Sequence, residues 1–220
     1  NCNKGSRDKK ANVKKNISIA IKNIGIENKK LKLVNQVHSN KIFYITNKNY
    51  KKELVGDGLI TKDKNFALGV LTADCAPIFI FDKDQKIICC LHCGWKGALS
   101  NIVKNCINKM KGNKINPLNM IAIIGPCLSI KNFEVDKNFK KNFLKINSSY
   151  SNYFKSKNKE KDLFNLRGII NFQLKKEGLT KIHNITRDTY NSDIFFSHRR
   201  ATHQKKRNTG RMINIISLKG

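Results

Sequence analysis

The sequence lacks any long apolar run. No segment approaches the ~20 apolar residues that a membrane-spanning helix needs, and residues 1–10 contain no apolar signal-peptide core. These absences predict a cytoplasmic chain without a membrane partner. The chain has 220 residues, of which 40% are apolar and 27% charged, so wholesale disorder and a fibrous protein are excluded.

Acidic residues are also scarce. The chain has 15 Asp and Glu against 44 Lys and Arg, which gives a net charge of +29. Such a charge attracts polyanions, including nucleic acids. However, the lysines are spread among asparagines, and no zinc-finger spacing, aromatic RNA-binding strand or basic helix with heptads accompanies them. We therefore expect no specific nucleic-acid partner and interpret the charge as a compositional bias of the surface.

The seven cysteines do not suit an extracellular disulfide framework. Their number is odd, and most of them lie in apolar segments that resemble strands. Disulfide frameworks instead have an even number of cysteines, usually in short, loop-rich chains. We therefore expect reduced thiols.

The spacing of apolar residues predicts an α/β domain. Intervals of three and four residues predict helices at residues 8–24, 95–110, 136–146 and 163–177. Short runs rich in Ile, Val, Phe and Leu predict strands at residues 31–37, 41–46, 58–61, 66–72, 77–81, 87–92, 120–124, 181–185 and 212–218, with a loop at 147–162. Residues 1–220 are thus predicted to form a single domain with a mixed central sheet flanked by helices. The polar start leads directly into a helix, as expected of a domain that lacks its N-terminal strand.

Three potential metal ligands follow predicted strands. His38, Cys75 and His92 each lie at or just beyond a strand end, where polar residues of α/β proteins converge at one sheet edge. In the strand at 87–92, alternation places His92 at the end of an apolar row, so its ring is expected to enter a pocket. Two imidazoles and a thiolate with a fourth position open are typical of catalytic zinc, which lowers the pKa of bound water to about 7. Their wide separation matches no local metal motif, so ordinary packed residues are the alternative.

A series of motifs then identifies a family resemblance. The motifs are QVHS at 36–39, GDGLIT at 56–61, TADCAP at 72–77, HCGWKG at 92–97, IGPC at 124–127, FSHRR at 196–200 and TGR at 209–211. In this order they resemble the purine nucleoside phosphorylase family once called laccase-domain or multicopper polyphenol oxidase proteins, which includes proteins similar to a peptidoglycan editing factor. The resemblance covers nearly the whole chain, and the ordered set is far more specific than any single motif.

The resemblance implies a zinc site and a purine substrate. The zinc ligands would be His38, Cys75 and His92, in a fold resembling the cysteine hydrolases similar to cytotoxic necrotizing factor. Members of this family act on adenosine, inosine and methylthioadenosine by phosphorolysis and deamination, so purine nucleoside and phosphate are the expected partners. Copper is associated with the family but is less favoured here. The chain has five histidines and no His-x-His pair, which argues against the multicopper cluster of a polyphenol oxidase.

Two site roles have open alternatives. Cys75 is either a zinc ligand or, without metal, a nucleophile beside a histidine. The second identity would make the protein a Cys-His hydrolase or amidase that acts on a cell-wall peptide precursor. Asp74 and Asp57 are candidates for hydrogen bonding to the histidines or for acid/base work, and Asp57 could equally be a turn residue. The predicted catalytic residues are His38, Cys75, His92 and Asp74.

Four cations are predicted to bind phosphate or substrate. They are Lys96, Arg199, Arg200 and Arg211. Lys96 replaces the family's usual arginine and keeps the charge but not the bidentate geometry. A solvated basic tail is the alternative interpretation of the arginines. Phe196 and Phe133 are candidates for a wall against the purine, or else core residues.

Overall fold

The computed structural model describes residues 1–82, 84, 86–112, 115–206 and 208–219. Its helices are α1 (Lys10–Asn23), α2 (Trp95–Leu99), α3 (Ile102–Lys111), α4 (Lys137–Leu144), α5 (Leu166–Lys176) and α6 (His198–His203), with 3-10 turns at Pro117–Asn119 and Ser148–Tyr153. Its strands are β1 (Lys30–Lys32), β2 (Ile42–Tyr44), β3 (Gly58–Thr61), β4 (Phe66–Thr72), β5 (Ala76–Asp82), β6 (Ile87–Cys93), β7 (Ile121–Ile124), β8 (Glu134–Asp136), β9 (Phe154–Ser156), β10 (Lys161–Phe164), β11 (Lys181–Asn184) and β12 (Met212–Ser217). The predicted mixed α/β class is confirmed.

The central sheet has six strands in the order β11-β7-β5-β6-β3-β2. The outer pairs β11–β7 and β2–β3 are parallel, and the inner pairs are antiparallel. Both faces of β6 are buried, and its side chains alternate as predicted. Cys89 and Leu91 belong to a core that includes residues of α3 and α5, whereas Ile88 and Cys90 pack with residues of β4.

A second sheet covers the face opposite α3 and α5. It has three strands in the order β1-β4-β12, and β12 pairs with β4 over six residues, from Met212 opposite Thr72 to Ser217 opposite Ala67. The chain therefore passes from this sheet to the central sheet between β1 and β2, and again between β4 and β5. These two crossings, residues 33–41 and 73–75, leave the second sheet at the same end because β1 and β4 are parallel neighbours in it. They carry two of the three predicted metal ligands.

Several predicted boundaries differ from the structure. The predicted helix at 95–110 is broken at Asn101, which takes a left-handed conformation with φ 54° and caps α3 by accepting a hydrogen bond from the Lys104 N–H. Asn tolerates this conformation better than most residues. The predicted helix at 163–177 starts only at Leu166, because Asn165 caps α5 and the residues before it belong to β10.

The predicted loop at 147–162 is wrong. This segment contains the 3-10 turn Ser148–Tyr153, strand β9 and the first residues of β10. Strands β9 and β10 pair antiparallel in a small separate sheet with β8. Since the side chains of β9 are largely exposed, its sequence is polar and gives no apolar alternation.

The remaining expectations concern cysteines and membranes. All seven cysteines are free thiols, as predicted. Within the described ranges, no helix has both the length and the apolar character to cross a membrane.

Candidate metal centre

The fold brings His38, Cys75 and His92 together. One ligand atom from each side chain lies within 4.8 Å of the other two. The Cys75 Sγ is 3.7 Å from the His38 Nε2, and the two imidazole centroids are 4.8 Å apart at an interplanar angle of 72°. The three residues line a cleft of about 940 Å³. Among the described residues, no other group of three His, Cys, Asp or Glu side chains is as close as this.

Each ligand comes from a different part of the architecture. His38 lies in the first crossing between the sheets, Cys75 lies in the second, and His92 is near the end of β6. Gln36 fastens the first crossing to β4, because its side-chain amide both donates to the Leu71 carbonyl and accepts from the Leu71 N–H, each at 2.7 Å. The His38 backbone has a positive φ of 59°. Such a conformation is uncommon for a residue with a side chain, so specific contacts must hold it.

Asp57 supplies those contacts. This carboxylate is fully buried. It accepts hydrogen bonds from the backbone N–H groups of His38 at 3.0 Å and Ser39 at 2.6 Å, and from the Ser39 hydroxyl at 2.8 Å. It also lies 2.8 Å from the His92 Nδ1. Burial disfavours the charged form of Asp57, but the hydrogen bonds from His92 and Ser39 outweigh this effect and lower its pKa to about 2.

The surroundings of Cys75 lower the pKa of its thiol. Burial opposes ionisation, but hydrogen bonds with His38 and His92 lower the pKa of Cys75 to about 6. Burial likewise disfavours a charged His92, yet its contacts with Asp57 and Cys75 raise its pKa to about 9. The site therefore favours a thiolate at neutral pH, which is the form required both of a metal ligand and of a nucleophile.

The donor set and its spacing fit a metal ion. Zinc binds sulfur at about 2.3 Å and nitrogen at about 2.0 to 2.1 Å. At a tetrahedral angle, a sulfur ligand and a nitrogen ligand of one zinc ion are therefore ~3.6 Å apart. The observed separation of Cys75 Sγ and His38 Nε2 is 3.7 Å. Thiolate and imidazole ligands suit both zinc and copper, so these three residues could hold either ion.

Gly94 gives the site its space. A β-carbon on this residue would lie 2.8 Å from the Cys75 Sγ and 3.0 Å from the His38 Cδ2. Any side chain at this position would therefore displace two of the three ligands. Gly94 has no assigned role in the sequence analysis, although its position directly after His92 and Cys93 is the signal that could have indicated close packing against the site.

Asp74 lies apart from the imidazoles. Its two carboxylate oxygens accept hydrogen bonds from the Thr189 hydroxyl at 2.6 Å and from the Arg199 backbone N–H at 2.8 Å. The second contact is to the first turn of α6, where a negative charge is favourable. The structure therefore gives Asp74 a role in holding α6 beside Cys75, and Asp57 takes the histidine contact for which both had been candidates.

The four predicted cations have different surroundings. Arg211 lines the cleft, and its Nη1 donates to the carbonyl of Gly210 at 3.0 Å. Lys96 is exposed, with its ammonium 5.5 Å from the Trp95 ring centroid, and does not line the cleft. The α2 helix at whose start Lys96 lies has only five residues, so it is a weak phosphate site.

Arg199 and Arg200 bind the protein itself. The Arg199 guanidinium donates to the carbonyls of Asn132 and Glu134 and lies 5.6 Å from the Phe133 ring centroid. The Arg200 guanidinium donates to four carbonyls, those of Thr189, Tyr190, Ser192 and Phe195. The guanidinium N–H groups that would bind a phosphate therefore already donate to backbone carbonyls. Both side chains are placed to stabilise loops.

The predicted aromatic wall also lies elsewhere. Phe133 packs against Phe164 at a centroid distance of 5.0 Å, and Phe196 lies against Gly210. Neither residue lines the cleft, whereas Tyr50 does. No motif had singled out Tyr50, because its loop has no distinctive pattern.

Comparison with known proteins identifies the family of this chain and relatives of similar fold. A family model described as multi-copper polyphenol oxidoreductase laccase matches residues 1–219. A protein of Rickettsia prowazekii (strain Madrid E) named purine nucleoside phosphorylase is 36% identical over 195 residues, covering 85% of this chain and 78% of that protein. A protein of the same name from Rickettsia conorii is 34% identical over 225 residues, covering 94% and 90%. The crystal structure of a Neisseria meningitidis protein of family DUF152 has a TM-score of 0.89 and 27% identity, covering 100% of this chain and 86% of that one.

Proposed function

The chain belongs to the family described as multi-copper polyphenol oxidoreductase laccase, and we propose that it is a zinc-dependent purine nucleoside phosphorylase. One observation carries the proposal: a His-Cys-His cluster with metal-ligand spacing lines a large cleft. The names of the Rickettsia relatives support phosphorylase chemistry. The proposed substrates are adenosine, inosine and methylthioadenosine together with phosphate, and deamination of adenosine is a second proposed activity.

The metal would be held by His38, Cys75 and His92. When bound there, a zinc ion would supply Lewis acidity to an oxygen of substrate or water. A single ion is favoured over a multicopper cluster because the chain has only five histidines. The proposal thus differs from the oxidoreductase chemistry that the family's description suggests.

The other residues of the cleft would bind and orient the substrates. Arg211 carries a fixed positive charge into the cleft and is the predicted cation best placed to hold phosphate. Tyr50 also lines the cleft and is the aromatic residue that would contact a purine there. In phosphorolysis a phosphate oxygen bonds to C1′ of the ribose, the bond from C1′ to the purine nitrogen breaks, and the purine leaves with a proton.

Product analysis tests this proposal. Purified protein is stripped of metal, reloaded with zinc and incubated separately with inosine, adenosine and methylthioadenosine, with and without phosphate. We expect hypoxanthine and ribose 1-phosphate only with phosphate and zinc present, and inosine from adenosine when phosphate is omitted. If the zinc-loaded protein releases no base from any of the three nucleosides, phosphorylase function is excluded.

A second candidate function is favoured by the thiol itself. Because its pKa is lowered to about 6 beside two imidazoles, Cys75 could act as the nucleophile of a Cys-His hydrolase or amidase. The proposed substrate of that reaction is a cell-wall peptide precursor. Metal-free protein would then hydrolyse an amide bond of such a peptide and lose this activity on alkylation with iodoacetamide. If metal-free protein hydrolyses no such peptide and zinc-loaded protein releases base from a nucleoside, the phosphorylase proposal is favoured.

A further inference from the structure

One buried carboxylate contacts both histidines of the metal centre by different routes. The Asp57 Oδ1 lies 2.8 Å from the Nδ1 of the His92 ring and 3.0 Å from the backbone N of His38. Its Oδ2 accepts from the Ser39 N–H and hydroxyl and, at 3.3 Å, from the Val37 N–H. Asp57 is 0% exposed, so water does not compete for these contacts.

The ring contact determines which His92 nitrogen is free. An ionised carboxylate only accepts hydrogen bonds, so the His92 Nδ1 must carry a hydrogen. In the neutral ring that a metal ion requires, the Nε2 lone pair is then the one available on the side of Cys75, and metal binding releases the Nε2 proton. A histidine that binds through Nε2 commonly donates its other N–H to a carboxylate, which also orients the ring.

The backbone contacts determine where His38 points. Three successive N–H groups, from Val37 to Ser39, converge on the carboxylate. This convergence requires the turn in which His38 has its positive φ of 59°. Without an anion at this position the left-handed conformation would lose its support, and the His38 imidazole would lose its fixed direction toward Cys75.

We propose that Asp57 is the positioning residue of the metal centre, which sets metal affinity by fixing the free nitrogen of His92 and the backbone of His38 together. The inference rests on the proposed metal-dependent function. Two ligands from separate segments, His38 and His92, would thus depend on one carboxylate.

The variant Asp57→Asn tests this role with minimal change in shape. An amide has one accepting oxygen and one donating NH₂ group. If the NH₂ group takes the Oδ1 position, it faces the His38 N–H and donates to the His92 Nδ1, so that Nε2 must carry the hydrogen. If it takes the Oδ2 position, it faces the Ser39 N–H. In either orientation the NH₂ group faces a backbone N–H, so two donors meet and one hydrogen bond is lost.

The measurement is zinc affinity by competition with a chromophoric chelator, with circular dichroism as a check of folding. We expect Asp57→Asn to lower zinc affinity about 10- to 100-fold, the usual effect of losing such a partner. Two controls are expected to change it less than about threefold. Ser39→Ala removes one hydroxyl contact but keeps both Oδ1 contacts, and Asp162→Asn alters another carboxylate that is 1% exposed and bound to Lys137.

A second measurement does not depend on the folding of the variant. In zinc-loaded wild-type protein, long-range ¹H–¹⁵N NMR spectra should show His92 bound through Nε2, with a slowly exchanging hydrogen on Nδ1. Coordination through Nδ1, or a folded Asp57→Asn protein with unchanged zinc affinity, would overturn the role of Asp57 alone. Wild-type protein that binds no zinc would overturn the proposed metal-dependent function, and this role with it.

Discussion

Replacing Gly94 with alanine should damage the metal centre while leaving the chain folded. The backbone of Gly94 has φ −85° and ψ −176°, which alanine adopts without strain, so the added methyl group itself is the perturbation. It would lie 2.8 Å from the Cys75 Sγ and 3.0 Å from the His38 Cδ2. These contacts are roughly 0.5 to 0.7 Å inside the ~3.5 Å at which carbon atoms pack favourably.

The ligands must therefore move by more than a metal site tolerates. Ligand distances in such sites hold to about 0.2 Å, so a shift of half an ångström should lower zinc affinity at least ~10-fold. Overpacking should also lower the free energy of unfolding by about 1–3 kcal/mol. Chelator competition measures the first quantity, and urea unfolding of metal-free protein measures the second.

Gly97→Ala is the matched control. A β-carbon at Gly97 would have no neighbour closer than 3.7 Å, and the residue lies in α2, where alanine is preferred to glycine. We expect wild-type zinc affinity and equal or slightly higher stability. If Gly94→Ala binds zinc as tightly as Gly97→Ala does, the crowding argument is wrong.

Three further substitutions separate the roles of individual residues. Cys75→Ala should abolish zinc binding and phosphorolysis with an unchanged circular dichroism spectrum; normal phosphorolysis would refute the ligand assignment. Arg211→Ala should raise the KM for phosphate about tenfold or more, as expected for loss of a charge-assisted hydrogen bond, while the urea midpoint stays within error. Arg200→Ala should instead lower the free energy of unfolding by about 2–4 kcal/mol, since four carbonyls lose their donor, and a selective change in phosphate KM would contradict that structural role.

Much of the fold could be predicted from apolar patterns alone. Strands β3 and β4 have the predicted bounds, and the alternation along β6 correctly divided its side chains between two cores. These strands are buried, so their side chains had to be apolar and the pattern was strong. Strand β9 and helix α6 escaped prediction because both are short and largely exposed, and little apolar periodicity distinguishes them from loops.

The metal centre was predictable in its ligands but not in their support. The position of His38, Cys75 and His92 near the ends of predicted strands suggested that they could meet, and the ordered motifs of the family resemblance implied that they form one ligand set. In the structure Cys75 follows β4, His92 lies within β6, and His38 lies in the crossing after β1. In contrast, nothing in the sequence distinguishes Asp57, which contacts the histidines, from Asp74, which holds α6. The sequence also does not show that Arg200 binds four backbone carbonyls instead of an anion. Such contacts depend on backbone groups far away in the chain, and these carry no residue-specific signal.

The two crossings between the sheets would give a bound ion a mechanical role. His38 lies in one crossing, Cys75 lies in the other, and His92 belongs to the central sheet. An ion held by all three would tie the layers to each other as a non-covalent cross-link. Binding to the folded form alone adds about 2.7 kcal/mol of stability when free ion is 100 times its Kd. Part of the domain's resistance to unfolding would then depend on metal supply.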